Sequence, residues 1–175
     1  MLAVLLAQWV NVTGGVGGEA WGYAGVTLLA GVPGRDEILA GVSERGLWSS
    51  ADAGASWTKV SELGPGGRWL RRGDAIHWTG MWGNGLITSS DGGATWAKLK
   101  APVKSSVIEI PGKRLAGVGD KQVYVSKDDG ATWEMFGEPL PIKANGLAVA
   151  GKRLYAWRMS DKKADDTVFR SEAPE

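Results

Sequence analysis

One short pattern occurs three times along the chain: Ser50-Ala51-Asp52-Ala53-Gly54-Ala55-Ser56-Trp57, Ser89-Ser90-Asp91-Gly92-Gly93-Ala94-Thr95-Trp96 and Ser126-Lys127-Asp128-Asp129-Gly130-Ala131-Thr132-Trp133. Each copy reads Ser-x-Asp-x-Gly-x-Ser/Thr-Trp. The tryptophans lie 39 and 37 residues apart. A period of that length means one supersecondary unit stacked on copies of itself. The repeat constrains the architecture closely and the task very little.

The second copy shows the unit most clearly. Short apolar runs at 67–72, 75–79, 86–89 and 95–99 are separated by Gly73-Asp74, a glycine-rich loop at 80–85, and the repeated turn. The first copy scans as 26–30, 37–42, 46–50 and 56–60, and the third as 106–110, 113–118, 122–126 and 132–136. Pro33-Gly34 and Pro111-Gly112 separate the first and second runs with one fixed φ and one permissive φ. Four short strands in roughly 40 residues is the size of one propeller blade. With 27 glycines and 10 tryptophans, and no helical periodicity, the composition is all-β.

The expected fold is a single small β-propeller of about four four-stranded blades. Blade one covers about 24–61, blade two 67–100, blade three 105–137 and blade four 145–171. Blade four has only three strands, at 146–150, 152–157 and 167–171. A missing outer strand has a source at the other end: Ala7-Gln8-Trp9-Val10-Asn11-Val12 matches Ala55-Ser56-Trp57-Thr58-Lys59-Val60 in type and position. The N-terminal strand at 7–12 is therefore expected to complete the last blade and cover its free edge. Closure within one chain gives a monomer, and exchange between two chains gives a homodimer with an eight-bladed ring.

Each residue of the repeated turn has a local task. The serine and aspartate accept hydrogen bonds from turn amides that no strand partner satisfies. The glycine permits a left-handed backbone. The tryptophan buries its ring while its indole N–H reaches a carbonyl. Ser50, Asp52, Gly54, Trp57, Ser89, Asp91, Gly93, Trp96, Ser126, Asp128, Gly130 and Trp133 form this structural set. A calcium loop at Asp128-Asp129 lacks the ligand count and the EF-hand spacing.

These motifs, with the longer strings 85–96 and 46–52, resemble the Asp-box, or BNR repeat, of sialidase-like β-propellers. The resemblance covers about three quarters of the chain. It implies that the repeated turns lie on the rim, away from the ligand face, and are not catalytic. The superfamily hosts sialidases, xyloglucan-cleaving hydrolases, sorting-receptor ectodomains and photosystem assembly factors, so it does not select a function. Such proteins usually have six or more blades, and four is a departure.

Charge narrows the partners. The 20 basic and 19 acidic residues nearly cancel, which gives no reason to expect nucleic acid. Cysteine is absent, so there is neither a disulfide framework nor thiolate chemistry. No cofactor or metal is expected: His77 is the single histidine, on a strand between Ile76 and Trp78, and is read as a packed residue. Gly14-Gly15-Val16-Gly17-Gly18 is not followed by a helix pattern, which excludes a phosphate cradle. The apolar start, 1–7, is too short to span a bilayer. It is either packed strand or the remnant of a trimmed export signal, and the second case places the protein outside the cytoplasm. Asn11-Val12-Thr13 fits a glycosylation sequon inside an expected strand.

No catalytic set is visible. The arginines lack the sialidase context, and the loop carboxylates Asp74, Asp120 and Asp161 have no evident second member for glycoside hydrolysis. Recognition remains. Loops between second and third strands, and between blades, share one face of a propeller. On that face the ligand candidates are Trp21, Tyr23, Glu44, Arg45, Met81, Trp82, Asn84, Asp120, Lys121, Arg158 and Asp161. Large rings beside polar groups suit a protein or a glycan. The expected function is a non-catalytic binding or assembly module; the alternatives are a reduced sialidase- or xyloglucanase-type hydrolase and a strand-exchanged scaffold subunit.

Overall fold

The computed structural model describes residues 10–12, 25–32, 34–80, 85–159 and 166–172. Among these residues fifteen strands make four antiparallel sheets, each a meander in chain order. Blade one holds β1 (Val26–Gly31), β2 (Ile38–Val42), β3 (Gly46–Ser50) and β4 (Thr58–Ser61). Blade two holds β5 (Pro65–Arg72), β6 (Ala75–Gly80), β7 (Leu86–Ser89) and β8 (Ala97–Leu99). Blade three holds β9 (Ser106–Ile110), β10 (Arg114–Gly119), β11 (Gln122–Ser126) and β12 (Glu134–Phe136). Blade four holds β13 (Gly146–Ala150), β14 (Arg153–Arg158) and β15 (Thr167–Glu172). Among the described residues the one helical element is a 3-10 turn at Ser43–Arg45, and no helix there is long and apolar enough to cross a membrane. This is the expected all-β propeller of four blades.

The sheets stack face to face, so the middle strands are covered on both sides. Leu39-Ala40-Gly41-Val42 and Leu115-Ala116-Gly117-Val118 are buried throughout. Their small residues permit close approach: a Cβ on Gly117 would lie 2.5 Å from a methyl of Val103. Outer strands β8 and β12 are largely exposed. β1 packs on β5, β5 on β9 and β9 on β13. Leu39, Leu47, Trp78 and Ile87 fill the first of these interfaces. Leu86, Val103, Val107 and Leu115 fill the second, and Val118, Val123, Leu147 and Leu154 belong to the third.

Two expectations need correction. The outer strands start later than expected, at Thr58, Ala97 and Glu134. Ser56, Thr95 and Thr132 commit their amides and hydroxyls to the turn aspartate and are not free for a ladder. The closing strand at 7–12 lies half outside the described residues. Its described half, Val10–Val12, forms no ladder, and β15 has no outer partner among the described residues. Val12 instead rests on the first repeated turn, where its carbonyl accepts the indole N–H of Trp57 at 2.9 Å. No packing comparable to that of β9 on β13 joins β13 back to β1 among the described residues.

Candidate functional site

The three repeated turns are superimposable in their bonding. Each serine hydroxyl donates to its aspartate (Ser50 to Asp52 at 2.9 Å, Ser89 to Asp91 at 2.7 Å, Ser126 to Asp128 at 2.8 Å). The same hydroxyl oxygen accepts the glycine amide at 2.8 Å in all three. The aspartate then accepts the amide and hydroxyl of Ser56, Thr95 or Thr132. Gly54, Gly93 and Gly130 have φ of 88°, 102° and 87°, a region that L side chains avoid. Trp96 and Trp133 donate their indole N–H to Gly93 O and Gly130 O. Only the first turn differs, with Trp57 turned to Val12.

Two hydroxyls and one amide converge on each turn carboxylate, which lowers its pKa. The Thr132 hydroxyl, then the Thr132 amide and the Ser126 hydroxyl, hold Asp128 down at about 2, against an ordinary 3.8. Asp91 and Asp52 move the same way, led by the hydroxyls of Thr95 and Ser56. The unfolded chain therefore binds protons more readily than the folded one on acidification. The stabilisation from these carboxylates is full above their ordinary pKa near 3.8 and is lost as pH falls toward about 2. Acid titration of melting temperature is expected to drop across that window, and Asp91→Asn with Asp128→Asn to flatten the drop.

The loop face is built at the opposite end of the sheets. Glu44 and Arg45 lie in the β2–β3 turn, Asp120 and Lys121 in the β10–β11 turn, and Arg158 at the end of β14. Trp21, Tyr23, Met81, Trp82, Asn84 and Asp161 lie outside the described residues. Glu44, Asp120 and Lys121 are exposed, and Arg45 and Arg158 half-buried. Asp120 takes Lys104 Nζ at 2.6 Å and Lys143 Nζ at 3.5 Å. The Lys104 hydrogen bond, ahead of the charges of Lys104 and Lys143, keeps the Asp120 carboxyl below its ordinary pKa. Lys121 Nζ donates to Pro141 O at 3.0 Å. The described loop face is thus a basic cluster on blades three and four, with one bridged carboxylate. Lys143, outside the loop-face candidates of the sequence, joins because its inter-blade loop ends beside the β10–β11 turn.

Other features escape a sequence reading altogether. Arg68 of β5 lies over the Trp157 ring of β14, 5.1 Å from its centroid, a cation–π contact between blades two and four. At the repeated-turn end, Arg72 pairs with Asp129 at 2.5 Å and approaches Glu109 at 4.0 Å. These groups line an open polar depression of about 380 Å³. His77 lies beside the third repeated turn and is 2 % exposed, with Nδ1 3.3 Å from Thr88 Oγ1. Burial pushes its pKa down; Asp129 opposes and Arg72 adds to the shift. No group of three or more metal-ligating side chains comes together among the described residues. An apolar cavity of about 90 Å³ opens between blades three and four, lined by Val123, Phe136, Leu140, Leu154, Ala156 and Phe169 among others.

Asp74 and Asp120 do not share a cleft. Asp74 sits in the β5–β6 turn, whose Asp74 carbonyl accepts the Gly92 amide of the repeated turn at 2.9 Å. Asp120 sits at the other end of the sheets.

Solved structures share this architecture. The chain is similar to the computationally designed Ika4 protein (TM-score 0.59, 8 % identity, covering 85 % of this chain and 91 % of that one). It is also similar to the GH74 xyloglucanase from Xanthomonas campestris (0.56, 18 %, covering 83 % and 29 %) and to the N-terminal domain of Nup159 (0.57, 13 %, covering 86 % and 45 %). It spans less than half of each of these two natural chains. At such identities the likeness shows the propeller fold alone. Neither a protein-family model nor a functionally curated protein matches the sequence.

Proposed function

We propose that this chain is a non-catalytic binding or assembly module that takes a protein or glycan partner on its loop face. The repeated turns, read as Asp-boxes, hold the far rim and leave the loops for contact. The observation that carries this reading is the exposed basic cluster of Lys104, Lys121 and Lys143 around Asp120. A shallow charged surface suits a macromolecular partner, for which rim charges set encounter and selectivity. Placement of Asp74 and Asp120 at opposite ends argues against the hydrolase alternative, which needs two facing carboxylates.

Surface ion pairs contribute only about 0–1 kcal/mol each, so Lys104→Glu, Lys121→Glu and Lys143→Glu together are expected to lower the melting temperature by only a few degrees and leave the fold intact. The triple variant is expected to lose partners found by glycan array or by cross-linking capture with the parent, as is Trp21→Ala with Trp82→Ala. Equal capture by parent and variants would remove the loop face from consideration. Turnover across a panel of fluorogenic glycosides would restore the hydrolase.

A further inference from the structure

Neighbouring blades meet at joints that can be compared residue by residue. The serines set the alignment, since Ser89, Ser126 and Ser171 lie opposite Ile76, Leu115 and Leu154. In the joint of blades one and two, Trp96 of the second repeated turn shares a cluster with Leu47, Val60, Trp78 and Ile87. In the joint of blades two and three, Trp133 of the third repeated turn shares one with Leu86, Leu99, Leu115 and Tyr124. The matching residues of the next joint are Val123, Phe136, Leu154 and Phe169. They cluster without a tryptophan among the described residues, and they line the apolar cavity of about 90 Å³. The cavity has the place and the lining of a tryptophan socket.

An unpaired edge runs beside it. β4, β8 and β12 each close a blade, whereas β15 has no outer strand among the described residues. Phe169, Arg170 and Ser171 belong both to that edge and to the cavity lining. Arg170 is exposed, and Val168 is 67 % exposed. Unpaired backbone groups beside an apolar cavity form a template for an added strand, with the ladder giving affinity and the cavity selecting a side chain.

We infer that blade four takes its outer strand from another protein: an extended segment with a tryptophan for the cavity and an acidic residue directly after it. The complete blades fix this order. In each, the residue after the turn tryptophan pairs with the residue before the turn serine: Thr58 with Ser49, Ala97 with Thr88, Glu134 with Val125. In blade four that place is Arg170, where a carboxylate meets the guanidinium across the ladder. Two residues further on, Leu99 pairs with Leu86 and Phe136 with Val123. That place is Val168, which an apolar side chain covers. The segment thus reads tryptophan, acid, any residue, apolar. Trp133-Glu134-Met135-Phe136 has this order, but it is committed to its own blade. The segment at 7–12 has Val10 in place of the acid. Its Val12 stands beside Gly54 as the middle-strand residues Leu39 and His77 stand beside Gly93 and Gly130, which is not the place of an outer strand. The site lies on the outer edge of blade four and is independent of the loop-face reading.

A fluorescein-labelled synthetic peptide of Ser126–Gly137 is the probe, titrated with the full-length protein and followed by anisotropy. Binding is expected, with slower amide exchange along β15. The Trp133→Ala peptide is expected to bind at least about tenfold more weakly, as for the loss of a buried aromatic anchor. Arg170→Glu changes an exposed side chain and is expected to leave the fold intact. It is expected to weaken capture of the parent peptide and to favour the Glu134→Lys peptide, a reversal that misfolding would not produce. No binding by the parent protein, equal binding of the Trp133→Ala peptide, or an unchanged preference in Arg170→Glu would each overturn the inference. Binding that appears only after residues 1–9 are removed would also overturn it, by giving the site to the chain's own start.

Discussion

Trp78→Ala is expected to be the most damaging single truncation, costing about 3–5 kcal/mol. Its ring is fully buried at the junction of blades one and two. It meets Trp69 edge-on with centroids 5.1 Å apart, and tilts against Trp96 at 6.0 Å. Such pairs contribute about 0.5–1.5 kcal/mol beyond the area they bury. Trp96 belongs to the second repeated turn, so its loss of support carries the damage from core to rim. For a chain of this size each kcal/mol lowers the melting temperature by about 2–4 °C. Trp78→Phe is expected to be much milder. The indole N–H is buried without a hydrogen-bond partner, so its removal sacrifices no bond and relieves a desolvated donor. Guanidinium unfolding of the two variants, followed by circular dichroism, separates these outcomes. If both unfolded with the parent, the two blades would not share this core.

Gly46→Ala is expected to destabilise nearly as much, for a backbone reason. Gly46 opens β3 with φ 88° and ψ −153°, a region open essentially to glycine alone. A Cβ there would sit 2.1 Å from Ser61 O, where β4 ends. Conformational strain of about 1–3 kcal/mol adds to overpacking of about 1–3 kcal/mol. Two positions of the same register provide the controls. Gly85, at φ 85°, has nothing closer than 3.8 Å to its Cβ position, so Gly85→Ala is expected to incur the conformational strain only. In blade three the position is Gln122, whose Nε2 donates at 3.2 Å to Gly137 O, the counterpart of Ser61 O. There a side chain satisfies the carbonyl that glycine merely clears. Equal melting of Gly46→Ala and Gly85→Ala would show that the close approach to Ser61 carries no cost.

Much of this fold was legible because its signals are local. Ser-x-Asp-x-Gly-x-Ser/Thr-Trp dictates its own hydrogen bonds within eight residues, and Pro-Gly and Gly-Asp pairs mark where strands reverse. Counting strands between such marks is enough to recover four sheets. What stayed hidden depends on how the blades sit relative to one another. Nothing in the neighbourhood of Arg68 or Trp157 announces that they meet. Lys143 gains its role only because its loop ends beside Asp120. His77 was legible as a packed strand residue, but its contact with the next repeated turn was not. The aromatic loop candidates Trp21, Tyr23 and Trp82 lie outside the described residues, so the loop face rests on its charged members.

The stacking order also orders the molecule's breathing. In an array where each unit leans only on its neighbours, a unit with one neighbour opens at less cost than a unit with two. Blades two and three are clasped on both sides, whereas β15 of blade four is largely exposed and has no outer strand beside it among the described residues. Amide protons of β6 and β10 therefore exchange with solvent only when the whole array comes apart, while those of β15 escape through fraying of that edge. A strand added to β15 would erase that gradient and give the outermost sheet the slow exchange of the middle ones.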